Sequence, residues 1–210
     1  MIDIEGNVYN TVKIGDQEWM AENLKVTKYN DGSDIPLVEG NNKWKNIKTP
    51  AYCWYNNDIA NKEKYGALYN WYAVDTKKLS PIGWHIPTNE EWDVLQNYLI
   101  LNKYNSSRTI KKNKIAKSLA SKTDWRLSTK PGVIGNNLTK NNRSGFSALP
   151  GGCRYSDDCF GDQSCNGYWW SATEDGATYA YYRNLFYDYV YLYRSSIYKS
   201  GGFSVRLLRD

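Results

Sequence analysis

The chain has 210 residues, enough to bury a substantial core, and no stretch approaches the roughly 20 apolar residues of a membrane span, so direct membrane insertion is not expected. Its net charge of +5 lies in the first two thirds: residues 1–140 carry 20 Lys and Arg against 15 Asp and Glu, and residues 141–210 carry 7 of each. Lys103, Arg108, Lys111, Lys112, Lys114, Lys117 and Lys122 are not interleaved with aromatics as a phosphate-tracking groove requires; they read as a solvated helical face, and nucleic acid is not an expected partner.

In chain order, Met1-Ile2-Asp3-Ile4-Glu5 lacks the basic-then-apolar pattern of a signal peptide, and the residues alone leave the compartment open. Residues 8–14 alternate loosely up to Gly15-Asp16, a strand followed by a turn. Asn30-Asp31-Gly32-Ser33-Asp34 is turn chemistry. Pro87, then Thr88 with Glu91 three residues on, is a capping box, and Trp92, Leu95 and Leu99 follow at helical spacing, which predicts a helix over 89–101. Ile115, Leu119 and Ala120 predict a second helix over 110–121. Beyond residue 126, Gly, Asn, Ser and Pro recur so often that only short strands fit. No fixed-period repeat or linker-like run divides the chain, so one loop-rich α+β domain over 1–210 is expected.

The chain holds 9 Trp and 19 Tyr but only 4 Phe, a choice that suits half-exposed surfaces as well as cores. Tyr187, Tyr189, Tyr191 and Tyr193 recur at every second position, which would place all four on one face of an extended strand. A buried file of four phenols needs four partners in a dry place, so part of that face is expected to be exposed or interfacial. Asp175 to Tyr198, 24 residues with eight Tyr, contains no Lys, Glu, Gln, Met or Trp. Every residue that does occur there is reachable from an Asn codon by changing its first two bases.

Five blocks then carry a resemblance: Gly66-Ala67-Leu68-Tyr69-Asn70-Trp71-Tyr72; Gly83-Trp84-His85-Ile86-Pro87-Thr88 with Glu91-Trp92; Gly145-Phe146-Ser147-Ala148-Leu149-Pro150-Gly151-Gly152; Gly167-Tyr168-Trp169-Trp170-Ser171-Ala172-Thr173-Glu174; and Gly202-Phe203-Ser204-Val205-Arg206. With Thr11-Val12-Lys13-Ile14-Gly15 and Trp19-Met20-Ala21-Glu22-Asn23-Leu24 they resemble the Fibrobacter succinogenes major paralogous domain over nearly the whole chain. More distantly, the Gly-Trp-His-Ile-Pro-Thr block and the closing Gly-Phe…Arg are similar to the formylglycine-generating enzyme group, which implies a C-type-lectin-like fold of two helices and short antiparallel strands with the terminal strands adjacent. Members of the family include variable proteins of diversity-generating retroelements, where copying errors at template adenines scramble Asn-type codons. The family often reads Asn-rich where this chain has Phe186, Asp188, Tyr189, Tyr191, Tyr193, Ser195, Ser196, Ile197, Tyr198 and Gly201, while Leu185, Tyr187, Arg194, Lys199 and Gly202 match it. The same logic extends back to Cys153, Tyr155, Ser156, Asp157, Asp158, Cys159, Asp162, Ser164 and Cys165, giving a suspected variable region of about 153–201. The family's usual cysteine pair is replaced here by Ser80 and Leu207, so a disulfide there is not expected, and Cys53, Cys153, Cys159 and Cys165 are expected to be mostly free.

Enzymatic signals are poor. The single His85 reads as a packed, hydrogen-bonded structural residue, there is no zinc set with ligand spacing, and no Gly-x-Ser-x-Gly or phosphate-binding loop occurs. The paired reactive cysteines of an oxidase are not recreated, nor are the Glu-Pro-Asn and Trp-Asn-Asp triplets of calcium-dependent lectins; Asp157, Asp158 and Asp162 read as a solvated acidic loop. No catalytic residue, metal or cofactor is expected. The expectation is a binding domain, a phage tail-fibre tip or bacterial surface adhesin, facing a protein or glycan receptor from outside the cell, with oligomerisation open if it belongs to a fibre. The alternative is a carbohydrate-binding module in which Trp169, Trp170 and the tyrosines stack on sugar rings. Candidate ligand-binding residues are Tyr179, Tyr182, Phe186, Asp188, Tyr189, Tyr191, Tyr193, Ser195, Ser196, Ile197 and Tyr198, with Tyr155, Asp157 and Asp162 at the edge.

Overall fold

The computed structural model describes residues 1–210 other than Asn41, Asn46, Arg108, Thr109 and Lys111, so Arg108 and Lys111 of the basic series lie outside the described residues. In chain order the elements are β1 (Thr11–Ile14), β2 (Gln17–Met20), β3 (Tyr52–Cys53), α1 (Lys62–Tyr65), β4 (Leu68–Tyr69), α2 (Trp71–Asp75), β5 (Trp84–His85), α3 (Asn89–Leu101), α4 (Ala116–Leu119), β6 (Cys153–Arg154), β7 (Phe160–Gly161), β8 (Asn166–Asp175), β9 (Tyr179–Phe186), β10 (Tyr193–Tyr198) and β11 (Leu208–Arg209). Few helices and several short antiparallel sheets make the architecture α+β. No described helix is long and apolar enough to cross a membrane.

Gly15 takes a φ of +65°, and a Cβ there would stand 2.7 Å from the Tyr98 ring, so only glycine fits the turn that folds β1 onto β2. Leu208 of β11 pairs with Trp19 of β2 and with His85 of β5, giving the sheet order β1-β2-β11-β5 and bringing the terminal strands together as expected. The second sheet, β10-β9-β8, is antiparallel throughout. Segment 202–205 ties the parts together: Gly202 bridges to Arg154, Phe203 to Tyr69 and Ser204 to Trp169.

Helix α3 occupies the span predicted for it, and its capping box is closed: the Thr88 hydroxyl accepts from the Glu91 amide at 3.3 Å while the Glu91 carboxylate accepts from the Thr88 amide at 2.8 Å. The second predicted helix shrinks to four residues. Lys112 has a φ of +72°, and Ala120 is already extended and bridged to Ala148, so backbone pairing overrides the apolar periodicity at both ends. The expectation of only short late strands is also corrected, since β8 has 10 residues and β9 has 8.

Trp19, Trp92, Phe146 and Trp169 form the centre of one buried cluster, and Trp170, Tyr168, Tyr69 and Phe203 belong to another. Trp84 is half-buried, on the short strand β5. Asn23 joins these parts by accepting from the Trp169 indole and from Arg206 Nε, both at 2.9 Å. The Arg206 guanidinium is wholly buried, donates to backbone carbonyls of Phe146 and Ser147, and lies 4.4 Å from the Phe146 ring centroid. Burial disfavours its charge, and the stacked ring and carbonyl oxygens hold it in compensation. Cys53 and Cys153 are buried, Cys165 is half-buried and Cys159 exposed, all four as free thiols.

Candidate functional site

The candidate residues gather on the β9–β10 hairpin, but the four alternating tyrosines do not form a strand. β9 ends at Phe186 and β10 begins at Tyr193, so Tyr187, Tyr189 and Tyr191 lie in the connection. That connection is held by its peptide groups. The Tyr187 amide donates to Cys165 O at 2.8 Å, the Tyr187 carbonyl accepts from Gly135 N at 2.6 Å, and the Val190 carbonyl accepts from Ala116 N at 3.1 Å. Asn113 holds Leu192 twice: its side-chain amide donates to Leu192 O at 2.6 Å, and its carbonyl oxygen accepts from Leu192 N at 3.2 Å. Leu192 is buried against the Trp19 cluster, whereas Tyr189 and Tyr191 are 46% and 36% exposed. Tyr187 packs partly on the core with Arg126 over its ring, and Asp188 pairs with Lys130 at 2.9 Å.

Outward, the rings touch one another. Phe186 meets Tyr189 and Tyr193 at centroid distances of 5.4 Å, Tyr189 meets Tyr193 at 5.7 Å and Tyr191 meets Tyr193 at 5.9 Å. These edge-on and tilted contacts restrict the rings while leaving hydroxyls and faces at the surface.

Strand register divides the other candidates. Tyr193 lies opposite Asn184, Ser195 opposite Tyr182 and Ile197 opposite Ala180, so Phe186, Tyr193, Ser195, Ile197 and Tyr182 share one face. Ser196 and Tyr198 lie opposite Tyr181 and Tyr179 on the other, where the Tyr179 and Tyr198 rings meet at 4.7 Å. These candidates therefore form two surfaces, because side chains alternate along a strand. Tyr182 and Ile197 are half-buried against the core that contains Trp170 and Phe203. Trp169 and Trp170, considered as sugar-stacking residues, are fully interior: each indole is hydrogen-bonded inside, to Asn23 and to Tyr69 O.

Tyr155 and Asp162 adjoin the first face. The hydroxyls of Tyr155 and Tyr168 both donate to Asp162 Oδ2, the latter at 2.6 Å, and the Tyr168 ring lies 5.9 Å from that of Tyr182. Burial, reinforced by the bond to Asp162, pushes both phenols far above their ordinary range. Burial first, then the Asp162 charge, pushes the Cys153 thiol up to about 12, opposite to a reactive thiolate. The acidic loop is spent on local structure: Asp157 accepts from Cys159 N, and Asp158 binds Arg154 and Asn42 N. His85 lies between Asp210 and Glu91, at 2.5 and 2.8 Å; burial lowers its pKa, but these two bonds outweigh that and leave it raised.

A groove of about 500 Å³ runs beside the tyrosines, where Asp93, Gln96 and Asn97 of α3 and Asn113 face Tyr191, Tyr193 and Arg194. No motif in the sequence marks these α3 residues. Their signal was the i, i+3, i+4 spacing of polar residues on the helix side opposite Trp92, Leu95 and Leu99.

The model of the Fibrobacter succinogenes major domain matches residues 12–209. Neither a curated protein nor a solved structure matches the chain.

Proposed function

The chain belongs to the Fibrobacter succinogenes major domain family, and on that premise we propose that it is a non-enzymatic receptor-binding module of C-type-lectin-like fold, a variable protein of a diversity-generating retroelement that presents its hairpin to a cell-surface receptor. One observation carries the reading. Of the ten suspected substituted positions from Phe186 to Gly201, every one but Gly201 is half-buried or exposed, while the intervening Leu185, Lys199 and Gly202 are buried. Residues can be exchanged freely only where packing does not dictate them, since core volume changes cost about 2–5 kcal/mol and surface changes about 0.5. Gly201, the buried Cys153, the half-buried Tyr187 and the exposed Arg194 depart from the pattern. Tyrosine at the open positions supplies broad, stiff contact area with little rotamer entropy to lose. An exported protein, at a phage fibre tip or on a bacterial surface, fits that use.

The α3 groove favours glycan as a second ligand class, since it sets Tyr191 and Tyr193 beside the amides of Gln96 and Asn97. A glycan array, run beside binding to intact bacterial cells, separates the two. Binding to cells that vanishes on Tyr189→Ser/Tyr191→Ser/Tyr193→Ser and has no counterpart on the array supports a protein receptor. Retention of all binding by that triple variant refutes the tyrosine surface. Independently, the retroelement reading requires a reverse transcriptase gene and an Asn-rich near-copy of residues 150–205 beside the coding sequence.

A further inference from the structure

Lys117, read in the sequence as part of a solvated face, turns inward. Its ammonium points among the carbonyl oxygens of Val133, Ile134, Asn136 and Asn137, with all but the Asn136 contact at 3.1–3.4 Å, and meets Asn141 Oδ1 at 2.7 Å. Segment 133–141 is thereby wrapped around an ammonium that pairs with no carboxylate among the described residues.

A cleft of about 300 Å³ opens at this point. Lys117, Lys140 and Arg143 contribute to its lining with Tyr104, Ser106 and Ser118, and no acidic residue is among the described lining residues. None of the three cations forms an ion pair among the described residues. The Arg143 guanidinium lies over the Tyr104 ring at 4.3 Å and gives one N–H to Lys103 O at 2.9 Å. Burial, and secondarily the charge of Lys140, pull the Lys117 ammonium down to about 8. Like charges gathered in a partly enclosed space, without a counter-charge, raise one another's energy, and an anion between them reverses the sign of that term.

We propose that this cleft binds a tetrahedral oxyanion, sulfate or phosphate, free or as an ester on a sugar. Arg143 offers a planar fork suited to paired oxygens, Lys140 a mobile point charge, and Ser106 a hydroxyl for a remaining lone pair, while the Ser118 hydroxyl in the wall is committed to Ile115 O at 2.6 Å. The volume is at the lower end of small-ligand sites, about 300–1,000 Å³. A nucleic-acid strand needs successive exposed rings for its bases, and the single ring here, Tyr104, is already covered by Arg143. The site does not depend on the tyrosine surface for its argument, although Gly132 in its wall lies between Ser106 and Val190 of the hairpin connection.

The test is an NMR titration of the full chain with sodium sulfate and with inorganic phosphate, against sodium chloride at equal ionic strength, following the Lys117 side chain and the Tyr104 ring. Saturable shifts, a rise in the Lys117 pKa on binding, and at least about tenfold weaker binding in Lys140→Gln/Arg143→Gln with an unchanged melting temperature are expected. Galactose 6-sulfate that binds more tightly than the free ion identifies an ester as the source; equal or weaker binding identifies the free ion. Shifts that merely follow ionic strength, or that persist in the double variant, overturn the site, as does a Lys117 pKa that sulfate does not move.

Discussion

Trp19, Trp92, Phe146 and Trp169 meet at ring-centroid distances of 4.7–6.4 Å, and Phe186, Tyr189, Tyr191 and Tyr193 meet at 5.4–5.9 Å. The spacing is nearly the same, and the geometry in both is tilted or edge-on. What differs is what surrounds the rings. The first group is dry, enclosed by α3, β2, β8 and the Arg206 guanidinium. The second stands on a backbone whose only buried anchor between Tyr189 and Tyr193 is Leu192. Ring contact alone therefore says little about stability; the area removed from water decides it.

That contrast can be broken by substitution. Trp169→Ala should cost the most, about 3–5 kcal/mol, because it opens a cavity and leaves Asn23 and Arg206 short of a partner. Chemical denaturation measures it, and a loss under 1 kcal/mol, ~0.5 being usual for a surface change, would dissolve the distinction between the groups. Leu192→Ala should follow at about 2–5 kcal/mol, although its neighbours in sequence are all surface tyrosines. If its melting temperature matches the parent, the connection is not anchored as described. Replacing Tyr189, Tyr191 and Tyr193 together by Ser should lower stability by only about 0.5 kcal/mol per site while removing receptor binding. Unfolding of that variant would make the surface group a second core.

The smallest effect belongs to His85, outside both groups. Its folded pKa is raised above 6.5, so its contribution is fully present below about pH 6.5 and is lost as pH rises through the folded value. His85→Gln should flatten this part of the stability profile between mildly acidic and mildly alkaline pH. A profile identical to the parent's would show that Asp210 and Glu91 do not hold the imidazolium.

The parts of the fold legible in the sequence were those governed by local chemistry. Thr88 and Glu91 cap α3 through bonds within one turn, and Gly15-Asp16 turns on φ alone. The long strands β8 and β9 were hidden because their buried positions include the polar Asn166, Ser171, Arg183 and Asn184, and the partners that make Arg183 tolerable inside, Asn89 and Asp93, lie on α3. Trp44 was equally obscure: it sits among Lys and Asn in sequence, yet is fully buried with its indole on Ser200 O and the Arg154 guanidinium over its ring. At the site, Tyr189 and Tyr191 of the alternating series are exposed while Tyr187 packs partly on the core, and the alternation does not indicate that Val190 and Leu192 between them close a loop rather than extend a strand. Hydrogen bonds from the Asn113 side chain and from the Ala116 and Gly135 amides decide that, and no periodicity records them.

Those bonds reach the connection through main-chain atoms at Tyr187, Val190 and Leu192, and main-chain atoms are common to all amino acids. A combinatorial library built at positions 186, 189, 191 and 193 would thus share one grip regardless of its members' side chains. Its clones should emerge as a single conformational population that differs in what it recognises, the property sought when a natural scaffold is recruited for binder selection.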